Sequence, residues 1–257
     1  YTVSVKKYNG IKSAFPHVLC YDTYRKMHNK TENAVAEFGG IMKKEQIKKL
    51  YDSKFMKMYD LQYKEGAHYY CASRRDEEHL QAVLPKESYD TLPPDGVSCV
   101  VVLRVKGEEP KLLLNWEYRY PAGQYLLSVP AGLVEPEAWG STEEAVKNTA
   151  IRELKEETGI TVGDNDEVSI INPFVFSSPG MTDEANALVY LSINRETMPE
   201  LSQSGAEGSE KFKGCRLVSL SEARSYLVNG KDEHGVYYPV YTWAALMFFV
   251  TSEFLNL

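Results

Sequence analysis

The chain lacks the residue patterns that mark several common protein classes. Its 257 residues include four cysteines, Cys20, Cys71, Cys99 and Cys215, which lie far apart without a CxxC spacing. The sequence therefore predicts neither a structural zinc site nor a disulfide framework. No apolar run approaches the ~18 residues of a membrane-spanning helix, and the first residues lack the apolar segment of a signal peptide. We expect a soluble, cytoplasmic protein with reduced thiols and no membrane partner.

Positive charge and nucleophile motifs are also scarce. The net charge is −7, with 29 Lys and Arg against 36 Asp and Glu. Nonspecific nucleic-acid binding needs a basic surface that displaces counterions, so we expect no nucleic-acid partner. The five histidines show no paired ligand spacing, and no GxSxG motif is present. The histidine spacing argues against a histidine metal site, and the missing motif argues against a serine hydrolase.

What the sequence does contain is a dense group of carboxylates between Val129 and Ile160. Glu153, Glu156 and Glu157 are spaced i, i+3 and i+4, so a helix would project their side chains as one cluster. Like charges this close repel each other, so the cluster must either stay fully solvated or be neutralised by a cation. Carboxylate oxygens are the ligands that a hard cation such as Mg²⁺ or Mn²⁺ prefers.

The residues around this cluster favour a helix that is apolar on one side and acidic on the other. Ala150 and Leu154 occupy the arc next to the glutamates, where they can seat the helix on a core. Gly159 is a suitable C-terminal stop. Arg152 lies one turn before Glu156 and can brace the acidic arc as an ion-pair partner.

The segment reads RELxEExG from Arg152 to Gly159, with Glu144 eight residues before the arginine. This pattern resembles the Nudix box, the metal-binding loop and helix of hydrolases that cleave nucleoside diphosphates linked to another group. The box also has a glycine six residues before its first glutamate. Here the candidate is Gly132, which stands twelve residues before Glu144, so the loop carries six extra residues around 136–140. The alternative is a solvated acidic helix without function.

Three further segments resemble the ADP-ribose pyrophosphatase branch of that family. They are YRYP at 118–121, VPAGL at 129–133 and SPGMTDE at 178–184. The resemblance implies hydrolysis of the pyrophosphate bond of ADP-ribose to AMP and ribose 5-phosphate. Two alternatives stay open: a pyrophosphatase for another nucleotide sugar, such as a UDP- or GDP-sugar, and a binding regulator that keeps the fold without turnover.

For the metal site, the resemblance implies two or three Mg²⁺ or Mn²⁺ ions, because attack on phosphorus requires the charge of the diphosphate to be neutralised. The implied ligands are Glu153, Glu156, Glu157 and the backbone carbonyl of Ala131. Glu153 and Glu157 are accordingly expected among the catalytic residues, together with Arg152.

The resemblance places the catalytic base on a late loop rather than on the box helix. The Gly- and Ser-rich segment 201–210 is such a loop, and loops of this kind can close over a substrate. Glu210 matches the position best and Glu207 is the rival. For either residue the alternative is an ordinary acidic surface side chain.

Substrate contacts are expected from two arginines and two aromatic residues. Arg119 and Arg75 carry guanidinium groups that suit phosphate oxygens, although Arg75 can also be simply solvated. Phe55 and Tyr70 can stack a purine, although aromatic residues on strands more often belong to a core. The amino-terminal strands resemble the dimer-forming sheet of this branch, which implies a homodimer that binds a small nucleotide sugar.

The hydrophobic pattern predicts an α/β protein, an α/β/α sandwich with a mixed sheet, preceded by a β-hairpin and an extension. We expect an extension at 1–52, a hairpin and linker at 53–97 and a Nudix domain at 98–257. Besides the box helix, strands are predicted at 54–63, 67–74, 96–105, 111–117, 124–129, 167–177, 185–193 and 211–218, and helices at 43–51, 221–228 and 240–253. No motif indicates the role of the extension.

Overall fold

The computed structural model describes residues 41–88, 91–135, 143–205 and 210–255. A small antiparallel sheet has the order β1-β2-β3. Its strands are β1 (Ile47–Asp52), β2 (Lys57–Lys64) and β3 (Ala67–Ser73). Gly66 lies in the turn between β2 and β3 with φ of 68°, a conformation that glycine adopts without strain. The predicted hairpin is therefore confirmed.

A larger, seven-stranded sheet forms the body of the protein. Its strands are β4 (Gly96–Val105), β5 (Lys111–Arg119), β6 (Gln124–Ser128), β7 (Ala131–Leu133), β8 (Glu167–Phe176), β9 (Ala185–Arg195) and β10 (Phe212–Val218). The order is β10-β5-β4-β9-β8, with β6 on β5 and β7 on β4. β4 and β9 run parallel, while the other pairs are antiparallel. The mixed sheet is confirmed.

Helices cover both faces of this sheet. They are α1 (Glu143–Thr158), α2 (Leu220–Asn229) and α3 (Val240–Leu255). Side chains of α1 join the core on one face with Leu113, whereas α2 and α3 pack on the other face against Leu112 and Leu114. Alternate residues of a strand point to opposite faces, so β5 contributes to both cores. The α/β/α sandwich is confirmed.

The described helices do not include one with the length and apolar character needed to cross a lipid bilayer. α3, the most apolar of them, buries Ala245, Leu246 and Phe249 against the sheet. Packing on the sheet therefore accounts for the buried part of this helix, while Val240 and Trp243 stay exposed.

The sheet opens between β4 and β5 at one end. The two strands pair only between residues 101–103 and 111–113, and beyond this point β4 pairs with β7 while β5 pairs with β6. The N–H of Cys99 donates to the carbonyl of Pro130 at 2.8 Å and so fixes the link between β6 and β7. This opening lets β7 lie against α1, the predicted box helix.

The predicted helix at 43–51 is wrong. Lys44–Gln46 form a 3-10 turn, and Ile47 begins strand β1, which pairs antiparallel with β2. Lysine is a good helix former, but helix propensity is a weak signal that strand pairing in the folded protein overrides. Because β1 lies within 1–52, the small sheet starts inside the segment predicted as an extension. The rest of that segment, 1–40, lies outside the described residues.

The second strand also begins later than predicted. Phe55 lies in the bend between β1 and β2, where the Ser53 N–H donates to the Met56 carbonyl at 3.1 Å. β2 therefore starts at Lys57 rather than at residue 54. The ends of β4 and the start of β5 agree with the prediction to the residue.

Candidate active site

Helix α1 carries the predicted acidic cluster and turns most of it toward the protein. Glu153 is 6% exposed and Glu157 is 3% exposed, whereas the Glu156 side chain retains 35% exposure. The helix ends at Gly159, which has φ of 77° and donates its N–H to the Lys155 carbonyl. A glycine adopts this left-handed conformation at a helix end without strain. The sequence had predicted both the cluster and the stop.

The box loop reaches the cluster through a close approach at Gly132. A Cβ atom on this residue would lie 1.7 Å from Oε1 of Glu153. No side chain fits in that space, so glycine is required for the β7 backbone to lie against the carboxylate. This contact gives a physical reason for the glycine that the sequence analysis selected.

Arg152 neutralises part of the acidic charge. Its Nη2 lies 2.6 Å from Oε1 of Glu153, and its Nη1 donates to Oε2 of Glu156 at 2.7 Å. The arginine thus braces the acidic arc as an ion-pair partner, as predicted. It holds together two carboxylates that would otherwise repel each other.

Glu157 is held by a residue that the sequence analysis missed. Asn115 in β5 donates from Nδ2 to Oε2 of Glu157 at 2.5 Å. On the other side, the Ala131 N–H donates to Oε1 at 3.2 Å. The available signal was an asparagine that interrupts the run Leu112–Leu114, because a polar residue in a buried strand needs a partner.

Burial disfavours the ionised forms of the carboxyl groups in this cluster. It raises the pKa of Glu153 to about 7, although Arg152 opposes the shift. It raises the pKa of Glu157 well above the ordinary value, although the Ala131 N–H opposes it. Burial also raises the pKa of Glu117, two residues after Asn115 in β5. A nearby cation would favour the charged forms of all three groups.

The donor set suits a hard divalent cation, since the expected side-chain ligands are carboxylate oxygens and include no thiolate or imidazole. In the present arrangement Arg152 bonds Glu153 and Glu156. Over the described ranges, the His, Cys, Asp and Glu side chains form no group of three or more that is positioned to hold a metal ion. A cation bound by these glutamates would therefore replace Arg152 as their partner.

Glu210 lies at the same end of the sheet, just before β10. Its charge adds to the effect of burial in raising the pKa of Glu153, Glu157 and Glu117, so it acts on the cluster electrostatically. The rival base Glu207 lies outside the described residues, as do residues 136–142 of the extended box loop.

Arg119 lies beside the cluster, whereas Arg75 has a structural position. Arg119 forms an ion pair with Glu117 at 2.6 Å and keeps 46% of its side chain exposed. Arg75 is 1% exposed and donates to Oδ2 of Asp95 at 2.7 Å. Asp95 also accepts from the N–H of Ala185 in β9. A guanidinium so enclosed is not open to a dissolved substrate, so we leave Arg75 out of the proposed substrate contacts.

The two predicted aromatic contacts belong to the small sheet and are open to solvent. Phe55 is 68% exposed and Tyr70 is 59% exposed. The alternative that these side chains belong to a core is therefore wrong. Both remain available to a substrate or to a partner subunit.

The strands and the helix that build this cluster lie within one recognisable segment. Residues 92–243 match the family model described as the NUDIX domain. The chain belongs to the Nudix family. The matched Nudix segment contains α1 and begins after the small sheet, which lies outside it.

Curated relatives of this Nudix chain carry related names. A Caenorhabditis elegans chain designated nudix hydrolase 2 is 31% identical over 135 residues, 52% of this chain and 56% of that protein. The ADP-ribose pyrophosphatase of Saccharomyces cerevisiae is 28% identical over 143 residues, with coverages of 55% and 57%. The ADP-sugar pyrophosphatase of Mus musculus is 31% identical over 126 residues, with coverages of 49% and 52%.

The chain thus spans just over half the length of the curated relatives it matches. The names of the yeast and mouse relatives agree with the resemblance of the segments at 118–121, 129–133 and 178–184 to the ADP-ribose pyrophosphatase branch, and the predicted Nudix family is confirmed. Among solved structures, an ADP compounds hydrolase matches with a TM-score of 0.46 and 18% identity, over 82% of this chain and 91% of that chain.

Proposed function

We propose that the protein hydrolyses the pyrophosphate bond of a nucleoside diphosphate sugar, with ADP-ribose preferred and AMP and ribose 5-phosphate as products. The observation that carries the proposal is the enclosure of Glu153 and Glu157 beside Glu117. Burying several carboxylates together is unfavourable unless a cation compensates them. The names of the yeast and mouse relatives support an adenine nucleotide as substrate.

Glu153, Glu156 and Glu157, with the carbonyl of Ala131, would hold Mg²⁺ or Mn²⁺. A divalent cation bound there supplies charge neutralisation of the diphosphate and lowers the pKa of water. Arg152 holds the carboxylates together before a cation arrives, because it bonds Glu153 and Glu156 directly.

Glu210 takes the role of general base. It accepts a proton from the attacking water, while the new bond forms between the water oxygen and phosphorus. The bond from that phosphorus to the bridging oxygen breaks, and the bridging oxygen leaves with the other phosphate. Glu210 is an exposed residue just before β10.

Arg119 donates to the phosphate oxygens of the substrate, since part of its guanidinium remains open while it pairs with Glu117. Phe55 and Tyr70 stack the purine, because flat exposed rings bind a base face without many polar contacts. The same small sheet joins two copies of the chain into a homodimer.

A substrate panel tests the proposal. The protein is incubated with Mg²⁺, alkaline phosphatase and ADP-ribose, UDP-glucose or GDP-mannose, and released phosphate is measured. Hydrolysis of any of the three exposes two phosphomonoesters that the phosphatase removes, so the rates can be compared directly. We expect ADP-ribose to be hydrolysed fastest. Equal rates for ADP-ribose and UDP-glucose would contradict the substrate assignment. Binding of ADP-ribose without phosphate release from any substrate would instead indicate a regulator.

A further inference from the structure

A polar group interrupts the buried face of the sheet beneath α1. Asn115 is 0% exposed and follows Leu112–Leu114, which are also fully buried. It points to the same face as Leu113, the face that α1 covers. Its register partners are Ser128 in β6 and Cys215 in β10. An amide therefore lies where the pattern of the strand calls for another apolar side chain.

The hydrogen bonding of this amide is incomplete, so stabilisation of the fold does not explain why asparagine occupies the position. Nδ2 donates to Glu157, but Oδ1 has no hydrogen-bond partner among the described residues. A buried polar atom without a partner destabilises a fold. Leucine at this position would continue the row of Leu113 and remove the unpaired Oδ1, but it would leave Glu157 without this donor. A purely structural core would favour apolar residues at both positions.

Together with the Ala131 N–H, the Asn115 amide holds both oxygens of the Glu157 carboxylate. Oε2 of Glu157 receives the Asn115 amide from β5, and Oε1 receives the Ala131 N–H from β7. These two strands lie on opposite sides of the opening between β4 and β5. Each carboxylate oxygen accepts more than one bond, so both remain able to face a cation after these contacts are made.

We propose that Asn115 is a positioning residue that orients the Glu157 carboxylate as a ligand for the divalent cation. The inference rests on the proposed function, since it assigns Glu157 to the metal site. Residues that orient a metal ligand through a hydrogen bond commonly change metal affinity when they are replaced. Asn115 acts through Glu157 and does not itself contact the cation.

Two substitutions separate orientation from packing. Asn115→Leu removes the donor and keeps a branched side chain of four heavy atoms, whereas Asn115→Ala removes the donor and leaves a cavity. We expect the leucine variant to melt at a higher temperature than the alanine variant. Mn²⁺ affinity, measured by electron paramagnetic resonance of the free ion, should fall about tenfold in both variants. A packing role predicts instead that affinity follows the melting temperature.

Ser128→Ala is the matched control, because Ser128 pairs with Asn115 in the sheet and its Oγ has no hydrogen-bond partner among the described residues. Its Mn²⁺ affinity should stay at the wild-type value. At saturating Mn²⁺, Asn115→Leu should lower kcat for ADP-ribose while KM stays within about twofold, as expected when a contact acts mainly in the transition state.

The outcomes distinguish the two proposals. If the wild-type protein binds Mn²⁺ and Asn115→Leu binds it equally tightly, the positioning role is overturned while the proposed function stands. If the wild-type protein neither binds Mn²⁺ nor hydrolyses a nucleotide sugar, the proposed function itself fails.

Discussion

At the scale of single residues, the tightest constraint in the site is the contact between Gly132 and Glu153. The sequence pattern could select this glycine, but it could not show that the carboxylate occupies the volume of a missing side chain. The partner of Asn115 could not be predicted for a related reason, because its bond to Glu157 joins a strand and a helix that are distant in sequence. Conversely, Arg75 beside Arg74 looked solvated or substrate-binding, and only the fold pairs it with Asp95.

Gly132→Ala should inactivate the enzyme with little effect on folding. The added Cβ would displace the Glu153 carboxylate, and a displacement of about 1 Å in a catalytic group costs on the order of 100-fold in rate. The measurement is ADP-ribose hydrolysis together with thermal unfolding. Gly163→Ala is the control, because a Cβ there meets only Asp166 Oδ2 at 3.9 Å. Full activity in Gly132→Ala would contradict the close approach.

Glu210→Gln should lower kcat by about 100-fold or more, because general-base catalysis contributes that much, while Mn²⁺ affinity stays unchanged. Stopped-flow or steady-state hydrolysis with a parallel Mn²⁺ titration measures both. Glu196→Gln serves as control, since Glu196 is exposed and forms a surface ion pair with Lys106. An unaffected rate in Glu210→Gln would move the role of base to Glu207 or to the box helix.

At the scale of elements, the sequence predicted best where one signal dominated. The β-branched run of β4 is buried along nearly its whole length, so its pattern left no other interpretation. β1 was mistaken for a helix because its exposed lysines carry no strand signal, and only its pairing with β2 defines it. The short strand β7 has three residues and was absorbed into the box loop.

The loop before β8 offers a test of stability at this scale. The buried Asp166 carboxylate accepts hydrogen bonds from the N–H groups of Gly163 and Asn194, and it pairs with Arg195 at 2.9 Å. Burial alone would raise the pKa of Asp166, but these bonds outweigh burial and lower it below 3.8. Asp166→Asn should lower the free energy of unfolding by about 2 kcal/mol at neutral pH.

The pH dependence of that loss has a definite sign. A carboxyl whose pKa is lowered on folding stabilises the protein above its unfolded pKa, and the contribution disappears as pH falls through the folded pKa. The difference between wild type and Asp166→Asn should therefore be constant above about pH 5 and shrink below about pH 4. Urea unfolding across this range measures it. Asp164→Asn, an exposed neighbour, should show no loss. A difference that grows as pH falls would contradict the account.

At the scale of the whole molecule, the small sheet lies against the Nudix domain through β3. The Ala72 N–H donates to the Met181 carbonyl at 2.9 Å, and the Tyr69 hydroxyl donates to the Gly180 carbonyl at 2.8 Å. On its other face Tyr51 and Tyr70 are more than half exposed, and Met58 between them is 37% exposed. Contiguous exposed apolar side chains commonly mark an interface.

Tyr51→Ser combined with Met58→Ser should weaken the proposed dimer. The two residues are register partners on β1 and β2, so both substitutions remove apolar area from one patch. Sedimentation velocity over a concentration series measures the effect. Tyr237→Ser is the control, because Tyr237 is 70% exposed but lies outside the small sheet. A wild-type protein that sediments as a monomer at every concentration would contradict the dimer.

The central claim is that the carboxylates buried beneath the box loop hold the cation for pyrophosphate hydrolysis. The most direct measurement compares ADP-ribose hydrolysis by Glu157→Gln and by Glu143→Gln in Mg²⁺. Both changes replace one carboxyl group of α1 by an amide, but Glu143 is exposed and pairs with Lys147. Loss of a metal ligand predicts a fall of about 1000-fold in kcat for Glu157→Gln and none for Glu143→Gln. Unchanged hydrolysis by a folded Glu157→Gln protein would contradict the account.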